Sequence, residues 1–359
     1  MQIDDFIDVA SKAIFANNAS LSSISQKILP LKGVISPNGL ENIVVSVKKQ
    51  SLSCVVSGVD SGFVSKKLSF IDLAFVRVAG VVFSLDGGFL KKADYFPSAF
   101  SFPEPIMLRQ GLESDEELQS VSFERLKKEV SLSIDIIKKS KPKYAFVDGS
   151  IVPQYKDKPR DNSELSSDYQ GIIHLFQKFY KTAEENNCTI ISCVEDSRGK
   201  RFVELLREKI LPKNPVALGN DLAGFFDASL LDYFLLPGER TFAFSYTEKI
   251  DNHAILKDYP KEWSESISVF YLKASQFDKP LRVEFICKNK SELSSKADEI
   301  ASIVFSLSSL HREYSYPSIL IEADLRARLN EEDINVVFDK LLDKLGPKAQ
   351  MRRNNRPFG

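Results

Sequence analysis

Cysteine and histidine are scarce in this sequence, and they are not spaced for metal binding or cross-linking. The chain of 359 residues contains four cysteines and three histidines. They stand at Cys54, Cys188, Cys193, Cys287, His174, His253 and His311. Because structural zinc sites draw on closely spaced Cys and His ligands, we expect no such site. Scattered thiols are also typical of a reducing compartment rather than of a disulfide-stabilised secreted domain.

Long apolar segments and an excess of one charge are missing as well. The sequence has no apolar run long enough to span a membrane, which takes about 18 residues or more. Its first residues, MQIDDFIDVA, lack the order of a signal peptide, so the expected location is the cytoplasm. The 48 basic and 49 acidic residues leave a net charge of -1, which indicates no particular partner. A nucleic-acid-binding protein of this composition needs local basic patches.

The apolar content is sufficient for a sizeable core, since 43% of the residues are hydrophobic and 27% are charged. Strands are predicted at 53–60, 70–83, 144–147, 189–194, 241–246, 267–273 and 281–287, with a hairpin turn at 85–88. Helices are predicted at 4–15, 113–139, 164–187, 198–209, 291–310 and 331–345. This order predicts an α/β or α+β architecture around one mixed sheet.

Two aspartates stand at the ends of predicted apolar strands. Asp60 ends SCVVSGVD and precedes Ser61-Gly62, while Asp148 follows YAFV and precedes Gly149-Ser150. A carboxylate beside a buried strand is costly unless something pairs with it. Two such acids at one sheet edge suit Mg²⁺ or Mn²⁺, which take oxygen ligands and can hydrolyse phosphodiesters in pairs. The alternative is an ordinary turn in which each Asp caps its own backbone.

Two further acids can extend such a cluster. Glu129 lies near the middle of the helix that precedes Asp148, and a solvated helix face is its alternative interpretation. Asp324 ends an apolar run in SILIEADLRARL and begins a basic segment with Arg326. A helix N-cap is the alternative for Asp324.

Basic residues near these acids are candidates for binding phosphates. Arg198, Lys200 and Arg201 follow Glu195 at a predicted strand-to-helix junction, where a helix N-terminus can also receive a phosphate. We assign Arg326 to DNA binding too, and solvated helix charges are the alternative for all four residues. The Phe-rich loop at 96–106 can stack on unpaired bases or cover a core edge.

Taken in order, these motifs resemble the archaeal NurA family of DNA-end-processing nucleases. The segments are GVDSG (58–62), the Arg125 and Glu129 helix with AFVDGSI (145–151), ISCVEDSRGKR (191–201), LLPGERTFAF (235–244) with PLRVEF (280–285), and YPSILIEADLRARL (316–329). The resemblance covers the chain from about residue 50 to 345.

The resemblance implies one domain over 1–359 with an RNase H-like core at 51–345, in which helices flank a mixed central sheet. It further implies an N-terminal helical segment at 1–50, a helical insertion at about 107–140 and a flexible basic tail at 346–359. The implied activity is an Mn²⁺-dependent deoxyribonuclease, with Mg²⁺ as the second choice of metal. It would degrade DNA from 5′ to 3′ and cut single strands. The implied assembly is a homodimer that works with a HerA-type hexameric ATPase on single-stranded DNA and duplex ends during double-strand-break resection for homologous recombination.

The family's site residues carry over one by one. Asp60 and Asp148 match its strand-end metal ligands, and Glu129 matches its helical glutamate, with Glu124 as the alternative alignment. Tyr316 matches the tyrosine of its C-terminal motif. On this basis Asp60, Glu129, Asp148, Tyr316 and Asp324 are the predicted catalytic residues, and the four carboxylates are the predicted metal ligands.

Two positions depart from the family pattern. Asp324 stands where the family often has a histidine, which still allows a hard metal but changes the preference among metals. Glu195 replaces a frequent lysine, which removes a phosphate contact. Two other functions therefore stay open, namely a catalytically weakened scaffold that binds DNA or a partner, and an actin-like ATPase. The second half of the chain lacks the glycine-rich adenosine loop that an actin-like ATPase needs.

Overall fold

The structure, a computed structural model, describes residues 3–67, 72–107, 112–214, 216, 222, 224–308 and 313–345. The strands are β1 (Val44–Ser46), β2 (Val55–Lys67), β3 (Asp72–Asp86), β4 (Phe89–Phe96), β5 (Glu104–Met107), β6 (Tyr144–Asp148), β7 (Thr189–Val194), β8 (Glu239–Thr241), β9 (Phe244–Ser245), β10 (Ile267–Lys273) and β11 (Leu281–Ile286). The α-helices are α1 (Ile3–Ile28), α2 (Ser114–Ser140), α3 (Ser166–Glu185), α4 (Arg201–Leu205), α5 (Asp227–Phe234), α6 (Lys261–Ser264), α7 (Leu293–Leu307), α8 (Ser318–Ala327) and α9 (Glu331–Leu345). In the described part of the chain, no helix has the length and apolar character needed to cross a membrane.

One compact unit comprises the described residues within 51–192, 249–264 and 318–345. Its strands form a mixed sheet in which β7, β6, β2, β3 and β4 are successive neighbours and β5 also pairs with β3. The long hairpin of β2 and β3 is antiparallel, whereas β2 and β6 run parallel. Helices α8 and α2 pack on this hairpin, and Gly58 of β2 faces α8 while Gly80 of β3 faces α2. Helix α3 packs against α2.

The other unit comprises residues 1–50, 193–248 and 265–317. Its strands β1, β8, β10 and β11 are successive antiparallel neighbours, and β9 pairs with β10. The apolar core joins the C-terminal end of α1 to α4, α5 and β10, through residues such as Leu21, Ile28, Phe202 and Leu231. The N-terminal half of α1 instead leaves apolar side chains exposed, including Phe6 and Phe15.

Most predicted elements are confirmed close to their expected positions, including the strands at 144–147 and 189–194, the hairpin turn and the helix at 113–139. The helix predicted at 198–209 begins at Arg201 and becomes a π-helical turn over Leu206–Ile210. Helix α1 is longer than predicted, and α5 and α8 were not predicted as helices. The expected basic tail at 346–359 lies outside the described residues.

One prediction about an aspartate and one alternative interpretation of another were wrong. Asp60 does not end its strand, because β2 continues through Ser61 and Gly62 to Lys67, and Asp60 pairs with Ala79 of β3. Asp324 does not cap a helix, since it lies inside α8. Ser61 and Gly62 were interpreted as a turn although they continue β2, and Asp324 was interpreted as a helix start although it lies within α8.

Position 62 requires glycine because of close packing against α8, and not because of a turn. A Cβ atom at this position would lie 2.4 Å from the backbone oxygen of Ala327, at the end of α8. We therefore expect Gly62→Ala to lower the free energy of unfolding by about 1–3 kcal/mol, as overpacking does. Denaturant unfolding measures this change.

The matched control is Gly171→Ala in α3, where a Cβ atom would meet open space. Alanine favours the helical backbone by up to about 1 kcal/mol relative to glycine, so this variant should be as stable as wild type or more so. Equal stability of the two alanine variants would contradict the close contact between β2 and α8.

Candidate active site

Asp60 faces helix α8 because of the glycines on either side of it. Side chains along a strand alternate between its two faces, so Gly58, Asp60 and Gly62 share one face of β2. A Cβ atom on Gly58 would lie 3.0 Å from the Cγ1 atom of Ile319, so the missing side chains let α8 lie directly on the strand. The Gly-x-Asp-x-Gly pattern therefore brings the helix that carries Asp324 up to Asp60.

The Asp60 carboxyl group is buried, with 7% of the residue exposed. Its pKa is raised to about 8, first by burial and then by the negative charges of Asp148 and Glu129. The backbone N–H of Ser61 donates a 2.7 Å hydrogen bond to Asp60 Oδ1 and lowers the pKa, while Asp324 raises it. The charges of Asp148, Glu129 and Asp324 therefore all act on Asp60 and, together with burial, favour its protonated form.

Glu129 approaches β2 from α2 and is held by two residues, Ser61 and Arg125. The hydroxyl of Ser61 donates a short hydrogen bond to Glu129 Oε1, and Arg125 lies 3.4 Å from the same oxygen. Arg125 also donates to the Ser61 side chain at 2.9 Å and to its backbone oxygen at 3.0 Å. Burial raises the pKa of Glu129, and Arg125 and Ser61 oppose that rise by stabilising the carboxylate.

Asp148 is the last residue of β6, and its position follows from the parallel pairing of β6 with β2. Val147 pairs with Val59, so Asp148 comes level with Asp60 at the point where β6 stops. Gly149 then adopts a positive φ of 81°, which reverses the chain, and its backbone oxygen accepts a hydrogen bond from Ser192. Asp148 is exposed, so it presents its carboxylate to solvent at this edge.

The donor set suits a hard divalent cation, because it consists of carboxylate oxygens alone. Within the described ranges, however, no three His, Cys, Asp or Glu side chains stand close enough to enclose a metal ion. The mutual repulsion of the carboxyl groups is compatible with this spacing, because charge repulsion acts over a long range. Metal ligation requires oxygens much closer together, at about 2.0–2.2 Å from the metal. Ser61 donates to both Asp60 and Glu129, so these two carboxylates are turned towards protein donors.

Comparison with known proteins decides the family. The sequence profile of the NurA domain matches residues 54–329, which is most of the chain. The chain belongs to the NurA family. No curated protein sequence matches it significantly. Family membership supports a nuclease.

Solved NurA structures share the fold. The crystal structure of the NurA nuclease from Sulfolobus solfataricus aligns with a TM-score of 0.60 at 14% identity, over 96% of this chain and 98% of that one. A crystal structure of NurA aligns with a TM-score of 0.51 at 10% identity, over 97% and 99% of the two chains. A structure of NurA with manganese aligns with a TM-score of 0.50 at 12% identity, over 95% and 98%. The predicted α/β, RNase H-like fold class is confirmed.

Tyr316, the tyrosine of the NurA C-terminal motif, lies in the unit that holds residues 265–317. Its side chain is buried, and its hydroxyl donates a 3.0 Å hydrogen bond to the backbone oxygen of Cys193 at the end of β7. Its ring stacks on Tyr314, at 5.9 Å between centroids. In this arrangement Tyr316 fixes the chain that follows β7, and its catalytic role stays a prediction.

The predicted phosphate-binding residues of the third NurA motif differ in their exposure and in their contacts with other protein side chains. Arg198 is exposed, and the Lys200 ammonium lies 5.2 Å from the centre of the Phe226 ring. Arg201 is mostly buried and pairs with Glu248 at 2.8 Å and Glu204 at 3.4 Å. Arg198 and Lys200 are therefore better placed than Arg201 to meet a phosphate.

A phosphate was expected at the N-terminus of α4. This expectation was wrong, because the first N–H groups of the helix already donate to a protein side chain. The backbone N–H groups of Phe202 and Val203 both donate to the buried carboxylate of Asp227, each at 2.9 Å. Tyr271 also donates to Asp227, at 3.1 Å. The protein thus supplies its own anion at this helix end, a contact that the sequence did not reveal.

Arg326 was predicted to bind DNA, and the structure surrounds it with local partners. Its guanidinium pairs with Glu322 at 2.8 Å, one helical turn earlier on α8. It lies 4.8 Å from the centre of the Tyr95 ring and 5.2 Å from that of Phe100. Phe100 is exposed, so the Phe-rich loop does offer an aromatic surface, which Arg326 supports from α8.

Sequence reasoning missed two contributors to the site. Ser61 was read only as a turn residue, and Arg125 was noted only as part of a motif, yet these two hold Glu129 in place. The signal was available, because Arg125 and Glu129 are four residues apart on a helix, a spacing that brings side chains together.

Proposed function

We propose that this chain is a divalent-metal-dependent deoxyribonuclease whose site is formed by Asp60, Glu129, Asp148 and Asp324. The observation that carries the proposal is the shared electrostatic environment of these four carboxyl groups around buried Asp60. Such repulsion is costly unless a cation relieves it. A structural role alone gives no reason to gather four acids from different elements of the fold.

The donor set fits Mn²⁺ or Mg²⁺, and one solved NurA structure contains manganese. When bound, such an ion supplies Lewis-acid activation of water and neutralises charge at the phosphate. The chain's own residues do the rest. Asp60 anchors the site from the paired β2–β3 hairpin, and Asp148 and Asp324 provide exposed carboxylates beside it. Arg125 holds Glu129 and adds a positive charge next to it.

The finer parts of the proposal rest on the family resemblance. We propose degradation of DNA from 5′ to 3′ and cutting of single strands, in resection of double-strand breaks. We further propose a homodimer that acts with a HerA-type hexameric ATPase. The exposed apolar side chains of α1, such as Phe6 and Phe15, support a subunit or partner contact there. Arg198 and Lys200 are the proposed phosphate contacts.

A cleavage assay tests this function directly. Linear DNA, single- and double-stranded and labelled at the 5′ or the 3′ end, is incubated with EDTA, Mg²⁺ or Mn²⁺. We expect metal-dependent degradation by the wild type and none by Asp60→Ala, because the variant lacks the central carboxylate. The order in which the two labels are released gives the polarity.

The outcomes separate the alternatives. Loss of cleavage in EDTA and in Asp60→Ala supports the nuclease. DNA binding without cleavage in any metal, even after addition of the HerA-type ATPase, would favour the scaffold instead. Hydrolysis of ATP by the chain alone would favour the ATPase.

A further inference from the structure

A cavity adjoins the carboxylate site on the α2 side of β2. Its volume is about 410 Å³, within the range of small-molecule sites. Phe63, Leu118 and Val121 give it apolar walls, and Gln119, Ser122 and Arg125 add polar groups. One of its walls is Arg125, which also pairs with Glu129.

Arg125 connects the cavity to the carboxylates. Its guanidinium donates to Ser61 and approaches Glu129, and it lies 5.3 Å from the centre of the Phe63 ring. Phe63 is two residues beyond Ser61 and so shares its face of β2. The residue is 39% exposed, which is high for a phenylalanine in a long paired strand. The accessible ring of Phe63 therefore lies beside the guanidinium of Arg125, which Ser61 and Glu129 hold in place.

A second cavity extends this surface away from the carboxylates. Its volume is about 470 Å³, and it shares Asp115, Gln119 and Lys156 with the first. It continues to Tyr155, which is 79% exposed, and to Lys257. The two cavities together form a groove that runs from Arg125 to Lys257.

The charges in this groove favour an anionic occupant. Among the residues that the structure describes, Lys156 and Lys257 form no ion pair. Three of the four acids that line the groove, Asp115, Glu116 and Asp157, accept from protein donors, and the fourth, Asp161, is exposed. Asp115 pairs with Arg160 at 3.3 Å, and buried Asp157 accepts from Ser122 at 2.7 Å and from the backbone N–H of Gln154 at 2.8 Å. The groove therefore presents Lys156 and Lys257 next to carboxylates most of which accept from protein donors.

We propose that this groove binds the single DNA strand adjoining the cleavage site, with an unpaired base stacked on Phe63 and its backbone phosphates against Arg125 and Lys156. The inference rests on the proposed nuclease function and adds the path of the substrate. Aromatic rings that alternate with cations suit a single strand, because bases stack on rings and phosphates pair with cations. In duplex DNA the bases stack on one another and cannot reach Phe63.

Binding of a single strand tests the role of Phe63. The probe is a fluorescent oligothymidylate of about 12 nucleotides, a length within the usual site sizes, in EDTA so that no cleavage occurs. We expect Phe63→Ala and Phe63→Leu to weaken binding by about 5- to 140-fold, the range for loss of one base–aromatic stack. Phe63→Tyr should retain wild-type affinity, because tyrosine keeps the ring.

Phe63→Leu keeps an apolar side chain against Arg125, so it separates loss of stacking from loss of packing. The matched control is Phe89→Ala, which removes an exposed ring at the β3–β4 turn, outside the groove. It should bind the probe like the wild type. Equal loss in Phe63→Leu and Phe63→Tyr would point to packing and would overturn the stacking role.

Salt dependence tests the two lysines. Removing one phosphate contact lowers the slope of log affinity against log salt by about 0.7 for a single strand. We expect such a change for Lys156→Ala and for Lys257→Ala. Lys181→Ala, at an exposed position on α3, is the control and should leave the slope unchanged. Unchanged slopes in both groove variants would overturn the proposed path.

Failure of this inference is distinguishable from failure of the proposed function. If the wild type cleaves DNA and the Phe63 variants keep both their affinity and their KM, the groove proposal is wrong and the nuclease stands. If the wild type cleaves and the KM for single-stranded DNA rises in Phe63→Ala and Phe63→Leu alone, both proposals are supported. If the wild type binds the oligonucleotide in the groove but never cleaves DNA, the nuclease proposal fails alone.

Discussion

Replacing Asp148 with alanine should lower the rate of DNA cleavage by about a thousandfold or more. This loss corresponds to the several kcal/mol of transition-state stabilisation that a correctly held metal supplies. Asp148 follows the final β2–β6 pair at an exposed strand end, and its charge raises the pKa of Asp60. Because the residue is exposed, the substitution leaves no cavity in the core. Single-turnover cleavage of labelled DNA in Mn²⁺ measures the effect, and thermal unfolding checks that the fold is intact.

Asp135→Ala is the matched control for this prediction. Asp135 is an exposed aspartate on α2, about a turn and a half beyond Glu129, and it belongs to no part of the proposed site. Its replacement should leave both the rate and the stability close to those of the wild type. Full activity of Asp148→Ala would remove Asp148 from the metal site. A similar loss in both variants would mean that overall charge matters rather than ligation.

The fold was predictable where the apolar residues followed the spacing of one kind of element, either a helix or a strand. The apolar spacing of Leu126, Val130 and Ile134 predicted α2, and the continuous apolar run at 189–194 predicted β7. The prediction failed at β2, where Ser61-Gly62 has the local chemistry of a turn. Long-range packing against Ala327 of α8 decides that glycine's role, and no local pattern contains this contact.

The site was predictable as a set of residue types but not as an arrangement. The strand-end logic works for Asp148, whereas Asp60 reaches the site from inside a strand. Asp324 joins it because α8 is a helix that lies on Gly58 and Gly62, which the sequence reading did not foresee. Ser61 and Arg125 are 64 positions apart, and their contact exists because α2 packs on β2. It could therefore not be predicted from local sequence. Sequence therefore indicated the chemistry, and tertiary packing determined the geometry.

Asp60→Asn should make the metal-free protein more stable than the wild type in alkaline solution. The pKa of Asp60 is about 8 in the folded state, against an ordinary value of 3.8. Between these values the folded protein binds a proton that the unfolded chain has lost. The stability contributed by that proton is complete below about pH 4 and is lost as pH rises towards about 8, at roughly 1.4 kcal/mol per pH unit. The full loss is up to about 6 kcal/mol, which the asparagine variant avoids because its amide has no proton to lose.

Denaturant unfolding in EDTA at about pH 6 and about pH 9 measures this difference, since the window spans the upper half of the titration. The amide oxygen of the introduced asparagine would still accept the hydrogen bond that Ser61 now donates to Asp60 at 2.7 Å, so the substitution changes charge more than structure. We expect wild-type stability to fall over this interval by more than that of Asp60→Asn, while Asp135→Asn behaves like the wild type. Mn²⁺ should then narrow the difference, because a bound ligand at a hundred times its Kd adds about 2.7 kcal/mol to the wild type and less to a variant that lacks a ligand. Parallel pH profiles for wild type and Asp60→Asn would mean that Asp60 is not the group that holds the proton. Equal stabilisation of both by Mn²⁺ would mean that the ion binds elsewhere.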